Sequence, residues 1–204
     1  MPDQAILPCE SIPSLHLLPA AQFDRVKSLE PKKFASLLRY LRTKYDYILI
    51  DCPAGIERGL RNVLNAGVDE ILLIATPDDI SVRSAERTAQ VIADKGFTRP
   101  RLIVNRLDRQ LIRSGEMYNA SVVAQVLDLP LFGAVPEDQV VCRSQLKHGF
   151  FISYDCEARN AVLRIAARIR GRNIPVISFG EKKKRLFPSL FSNSLKEVEP
   201  IDNH

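Results

Sequence analysis

Short continuous apolar runs alternate with helically periodic stretches along most of this chain. Tyr47–Ile50, Glu70–Ala75, Arg101–Val104 and Leu131–Val135 read as strands buried on both faces, and Leu15–Leu18 as a shorter one. Phe34, Leu37, Leu38 and Leu41 recur at helical spacing behind Glu30 and Pro31, which open that helix. Glu57–Leu64 reads as a short helix stopped at Asn65–Gly67. Asp79 or Ser81 caps a helix running to Lys95 and ended by Gly96. Asn119–Leu127, Asp138–His148 and Glu157–Ile169 complete the helices, the last burying Ala161, Leu163, Ile165, Ala166 and Ile169. Strands and helices alternating at this spacing predict an α/β fold, a mostly parallel sheet flanked by helices with right-handed crossovers.

The same pattern divides the chain. Residues 1–13 carry three prolines and little periodicity, and read as a lead-in. Residues 14–171 form the α/β domain, and 172–204 a tail of mixed character. A hydrophobic share of 46% supports a real core. The net charge of +5 permits contact with anionic lipid or nucleic acid without singling out either. Cys9, Cys52, Cys142 and Cys156 form no Cys-x-x-Cys pair, which argues against zinc and disulfides and for a reducing compartment. No apolar run approaches a membrane span, so the expected location is cytosolic, or peripheral at a membrane.

Candidate chemistry concentrates at the ends of the predicted strands. Tyr47–Ile50 runs into Asp51, then Pro53 and Gly55. A carboxylate at a strand's C-terminal tip, followed by a Gly N–H able to approach a phosphate, suits a magnesium–nucleotide site. Asp51 as a plain loop cap is the alternative. Asn105 follows the Leu102–Val104 run, and its amide can donate to and accept from an adenine edge, while Arg106 can stack on the base. A turn Asn and a solvated Arg are the alternative there. Pro136, Glu137 and Asp138 follow the last strand, with Asp138 equally suited to cap the next helix. Arg83, Glu86 and Arg87 share one charged helix face. His16, His148 and His204 form no catalytic or ligand pattern. The first glycine is Gly55, so no Gly-x-x-x-x-Gly-Lys-Ser/Thr loop precedes Asp51, and none follows it.

The segment Asp51-Cys52-Pro53-Ala54-Gly55-Ile56-Glu57 resembles the switch of the MinD branch of the MinD/ParA family of deviant-Walker ATPases. Leu15-His16-Leu17-Leu18-Pro19-Ala20-Ala21-Gln22 is similar to that family's Leu-x-x-Leu-Pro-Ala-Ser-Gln strand end. Thr76-Pro77 with Ser81–Arg87, Leu102–Arg106, and Gly133–Asp138 resemble its later strands and turns in the same order. The resemblance implies a P-loop NTPase-like domain, N-terminally incomplete, since family members begin with a strand and a Lys-Gly-Gly-x-Gly-Lys-Thr loop. A truncated product, a mis-started gene model or a degenerate paralogue would each give such a chain. It also implies that Asp51 holds Mg2+ through a water, that Gly55 meets the terminal phosphate of ATP or ADP, and that Asn105, Arg106 and Pro136–Asp138 surround the base. Arg83, Glu86 and Arg87 are then the face toward a homodimer partner and MinC/MinE-like division regulators.

In the tail, Lys182, Lys183, Lys184 and Arg185 abut Leu186, Phe187, Leu190 and Phe191. Cations beside Phe and Leu are the composition of a surface-lying membrane helix, and each cation near anionic lipid adds about 1 kcal/mol. The segment 181–191 resembles the MinD membrane-targeting helix, although Pro188 interrupts it and Glu197, Glu199 and Asp202 follow it. The function implied is division-site placement by an adenine-nucleotide-dependent dimer and membrane switch. Without a phosphate cradle, binding is expected to be weak and hydrolysis negligible. The alternatives are a non-catalytic interaction module derived from MinD, and a ParA-like partition or flagellar-number ATPase. The basic Phe/Leu tail favours lipid over nucleic acid. An incomplete sheet with a gap or exposed edge is expected where the family's first strand, absent from these residues, would pair.

Overall fold

Strands β3 (Leu72–Ala75), β4 (Arg101–Leu107) and β5 (Leu131–Pro136) lie side by side in that order, all parallel. The computed structural model describes residues 2–19, 31–52, 58–97, 99–147, 149–177 and 179. Central β4 is buried as its apolar run predicts, with Leu102 and Val104 wholly covered. Leu102 and Val104 join a core cluster with residues of α3 (Asp79–Asp94) and α5 (Ala120–Leu127). Ile103 instead joins Phe132 and Ile165 of α7 (Glu157–Ile169) in a separate cluster. The sheet is therefore flanked by helices, the α/β arrangement read from the sequence. Gly133 allows the close approach of α7: a Cβ there would lie 2.6 Å from Ile165 Cδ1 and 2.7 Å from its Cγ1.

Two irregularities in the β4–β5 ladder matter later. Leu102 pairs with Leu131 but Ile103 pairs with Gly133, so β5 carries an extra residue at Phe132. Val104 pairs with Ala134 and Leu107 with Pro136, so β4 carries an extra residue around Asn105–Arg106.

Several expectations need correction. Residues 2–13 are not a featureless lead-in. Pro2–Ala5 form a 3-10 turn, and β1 (Leu7–Cys9) pairs antiparallel with β2 (Ile12–Leu17). The turn is tied to α1 (Pro31–Arg42) because Asp3 accepts from the Tyr40 hydroxyl at 2.5–2.6 Å and from Lys44 Nζ at 2.6 Å. Lys44 holds the Asp3 carboxyl below its usual range, and Tyr40 adds to the effect. Tyr47–Ile50 is not a buried strand. Tyr47 is 58% and Leu49 83% exposed, and no described residue pairs with the segment. A strand needs a neighbour for its N–H and C=O groups, and apolar composition alone does not supply one.

β3 is also less covered than its sequence suggests, with Ile74 62% exposed. It is an edge of the sheet. The Ile71 carbonyl accepts from Arg101 N–H at 3.0 Å, so by alternation Leu72 and Ile74 point their backbone groups outward, where no described strand pairs with them.

The cap of α3 is Asp78, not Asp79 or Ser81: its carboxylate accepts from Ser81 N–H at 2.9 Å. Leu163 and Ala166 are exposed on α7, because Ala158, Ala161 and Ile165 form its buried stripe. Helix α2 (Arg58–Asn65) begins one residue after Glu57, which lies outside the described residues. Helix α4 (Arg109–Ser114) was not anticipated. Asp108 caps it toward Gln110 and Leu111, and Gly115 ends it at φ 86. Helix α6 spans Gln139–Leu146.

Candidate functional site

Two adjacent strand tips carry most of the predicted site. The extra residue in β4 is accompanied by a left-handed Arg106 at φ 60. For a side-chain-bearing residue that conformation costs about 1–2 kcal/mol, so neighbouring contacts must hold it. Asn105 Oδ1 accepts from Arg106 N–H at 2.9 Å, and Arg106 Nε donates to Glu137 Oε2 at 2.8 Å. The ladder closes beyond them through Glu137 N–H and the Leu107 carbonyl, 3.0 Å apart. The Asn105 NH2 group stays available as a donor, and its carbonyl oxygen keeps a second lone pair. Glu137 raises the Arg106 guanidinium above its ordinary value, and the Asp78 carboxylate at the end of β3 adds to the effect.

Pro136 is buried, so it shapes the loop from beneath. Asp138 is held inside the structure: it accepts from Val140 N–H at 2.9 Å as the cap of α6, and from Ala158 N–H at 3.3 Å in α7. Burial alone would raise its carboxyl, but those N–H donors, with help from Cys156 and Glu157, outweigh burial and hold it below 3.8. The capping role weighed for Asp138 is therefore real, and its oxygens are engaged by protein.

The segment around Asp51 is a different environment. Asp51 is exposed, and no described residue hydrogen-bonds to it in the ladder of a sheet. Burial pushes the Cys52 thiol up and the Asp51 charge adds to it, which leaves that sulfur a poor nucleophile. Pro53 and Gly55 lie outside the described residues. Among the described residues no group of three or more His, Cys, Asp or Glu could hold a metal ion. Magnesium keeps several waters and uses one or two carboxylates plus phosphate oxygens. Asp51 therefore fits a water-mediated partner of a phosphate-bound ion and not a metal site of its own.

Arg83, Glu86 and Arg87 are exposed on the first half of α3, as their spacing implies. Lys182, Lys183, Lys184, Arg185, Leu186, Phe187, Leu190 and Phe191 lie outside the described residues. No described helix is long and apolar enough to cross a membrane. An open hollow lined by Lys32, Lys33, Ser36, Leu37 and Tyr40 runs along α1 and includes none of the predicted site residues. Sequence reasoning missed Asp78, Asp108 and Arg109 at the strand tips. For Asp108 the signal was present, an Asp and a Gly bracketing one short turn of helix.

No family model matches the sequence. The septum site-determining protein MinD of Helicobacter pylori is 36% identical over 189 residues, which are 89% of this chain and 70% of that protein. Among solved structures, the MinC:MinD cell division protein complex of Aquifex aeolicus superposes with a TM-score of 0.77 at 26% identity, covering 88% of this chain and 72% of the other. The septum site-determining protein MinD of Pyrococcus horikoshii, complexed with Mg-ADP, gives 0.68 at 25%, covering 83% and 68%.

Proposed function

Since this chain belongs to the MinD family of septum site-determining ATPases, we propose that it acts in division-site placement as an adenine-nucleotide-sensitive switch between free, dimeric and membrane-held states. One observation carries this reading: the bulge at Asn105–Arg106, with its left-handed arginine held by Glu137 at the tips of parallel strands. Ligands of open α/β sheets bind beyond the carboxyl ends of the strands. Local strain at such a place is a reason to look for function there. The Asn105 amide would read the adenine edge, and the Arg106 guanidinium, oriented by Glu137, would cover the base. Asp51 would meet magnesium through water, and Gly55 the terminal phosphate. The bound Mg-ADP of the Pyrococcus relative and the MinC partner of the Aquifex relative make the same assignments reasonable here. Arg83, Glu86 and Arg87 would face a second copy or a regulator of the MinC/MinE kind.

Nucleotide affinity is expected to be low and hydrolysis negligible for these 204 residues, which contain no Gly-Lys-Thr loop to neutralise phosphate charge. Calorimetry with magnesium–ADP and magnesium–ATP tests this. Weak binding that Asn105→Ala abolishes supports the reading; sub-micromolar binding or steady turnover would overturn the weak-cradle argument. The membrane arm rests on Lys182–Phe191 binding anionic vesicles, one short segment giving marginal attachment that a dimer reinforces. Equal sedimentation of the unaltered chain and a Phe187→Glu, Phe191→Glu variant with anionic vesicles would remove that arm. A second reading, a non-catalytic interaction module, is favoured by the unpaired segment before Asp51. It predicts partner binding that ignores nucleotide.

A further inference from the structure

The loops at the tips of β4 and β5 and the starts of α4, α6 and α7 form a closed circuit of contacts. Arg106 donates to Glu137 at 2.8 Å. The next residue, Asp138, accepts from Ala158 N–H at 3.3 Å. The residue before Ala158 is Glu157, whose carboxylate lies 2.5 Å from Arg109 Nη2. Arg109 opens α4 two residues beyond Leu107, the last residue of β4, and so leads back to Arg106. One contact leaves the circuit. The Arg109 guanidinium lies 5.0 Å from the centre of the Phe179 ring.

Phe179 is 5% exposed and belongs to the core cluster of Leu107, Ala120 and Val123. The chain leading to it is gripped upstream. Arg168 donates to the carbonyls of Ile174 at 2.7 Å and Pro175 at 2.6 Å, and also to that of Phe132 at 3.0 Å. Phe132 is the extra residue of β5, which accounts for its carbonyl being available.

We propose that Arg109 and Phe179 form a joint through which the base-facing loops and the C-terminal segment sense each other. A single guanidinium serves both Glu157 and the Phe179 ring, so any shift of Glu157 moves the cation across the ring that it covers. Glu157 in turn is fixed beside Asp138, whose neighbour Glu137 holds Arg106. A ligand that draws Arg106 away from Glu137 therefore loosens the seat of Phe179, and an empty seat weakens the hold on Arg106, because coupling between two sites is mutual. The trigger, an adenine base on Arg106, rests on the function proposed above; the circuit itself does not.

The test uses the full chain and reads tryptic cleavage after Arg172, an exposed residue in the short loop that Arg168 closes by gripping Ile174 and Pro175 on the way to Phe179. Phe179→Ala should speed that cleavage by about fivefold or more. Phe179→Leu keeps the seat filled with an apolar side chain and removes the ring, so it should match Arg109→Gln instead. Glu137→Gln, at the far side of the circuit, should speed cleavage, and adding it to Arg109→Gln should change nothing further. Unchanged cleavage in Glu137→Gln, or effects of Glu137→Gln and Arg109→Gln that simply multiply, would overturn the proposal. A fluorescent ADP analogue with magnesium then reads the trigger: it should alter cleavage of the unaltered chain and not of Arg109→Gln. Bound analogue with unaltered cleavage also overturns the joint, whereas no binding of the analogue removes only the nucleotide reading.

Discussion

Arg101–Leu107 and Tyr47–Asp51 carry similar sequence, an apolar run ending in polar residues, yet they sit in different environments. The first is central in a parallel sheet, pairs on both sides and ends in a bulge locked by Glu137. The second pairs with no described strand and leaves Leu49 83% exposed. Composition is thus not what separates them. A strand is a relation between neighbours, and only one of these segments has neighbours on both sides. The proposed site inherits the division: the Asn105–Arg106 bulge is fixed by interlocking contacts, whereas Asp51 is exposed and follows a segment that no described strand pairs with.

Native-state hydrogen exchange should show the largest contrast. The amides of Leu102–Val104 should exchange only through global unfolding, which typically requires about 5–15 kcal/mol, whereas those of Ile48–Ile50 should exchange nearly freely. Protected amides at Ile48–Ile50 would break the comparison. In urea unfolding, Leu102→Ala should cost about 3 kcal/mol as a large-to-small change at a fully buried site. Leu49→Ala should stay within about 0.5 kcal/mol. Gly133→Val should cost about 2 kcal/mol, because its Cβ meets the Ile165 side chain and α7 must move outward.

A smaller effect than either core substitution should come from Asp138→Asn. It keeps an acceptor for Val140 but loses the charge, at about 1 kcal/mol near neutral pH. The folded carboxyl titrates below its ordinary 3.8, so its stabilising contribution is present above that value and is lost as pH falls through the depressed one. The difference between the variant and the unaltered chain should therefore shrink as an acid titration passes below 3.8. A constant difference down to the acid transition would mean that the charge is not what Asp138 contributes.

Most helices, though not α4, and the three strands of the parallel sheet were legible because they are marked locally: apolar period, Asn119 or Asp138 as a cap, Gly67 or Gly96 as a stop. Arg106 illustrates what was not. Nothing in Val104-Asn105-Arg106 announces a left-handed arginine, since the bulge arises only from the offset between β4 and β5. Asp79 and Ser81 were the candidates to cap α3, yet the cap is Asp78, whose carboxylate accepts from Ser81 N–H, a choice the neighbouring acidic residues leave open in sequence. The Arg109–Glu157 and Arg168–Phe132 contacts join residues far apart in the chain and leave no local trace. Tyr47–Ile50 was misread for the complementary reason: its pattern states a preference that only a neighbouring strand can realise.

The grip of Arg168 has a mechanical meaning. Tension applied to the far end of the chain, as by a surface holding the tail, travels back along the backbone to Pro175 and Ile174. There it meets a guanidinium also fastened to the Phe132 carbonyl of β5. Part of the pull is thereby diverted from the backbone turn at Gly171 into the sheet itself. Arg168 acts as a strain relief, in the way a clamp at the housing protects a cable's solder joint.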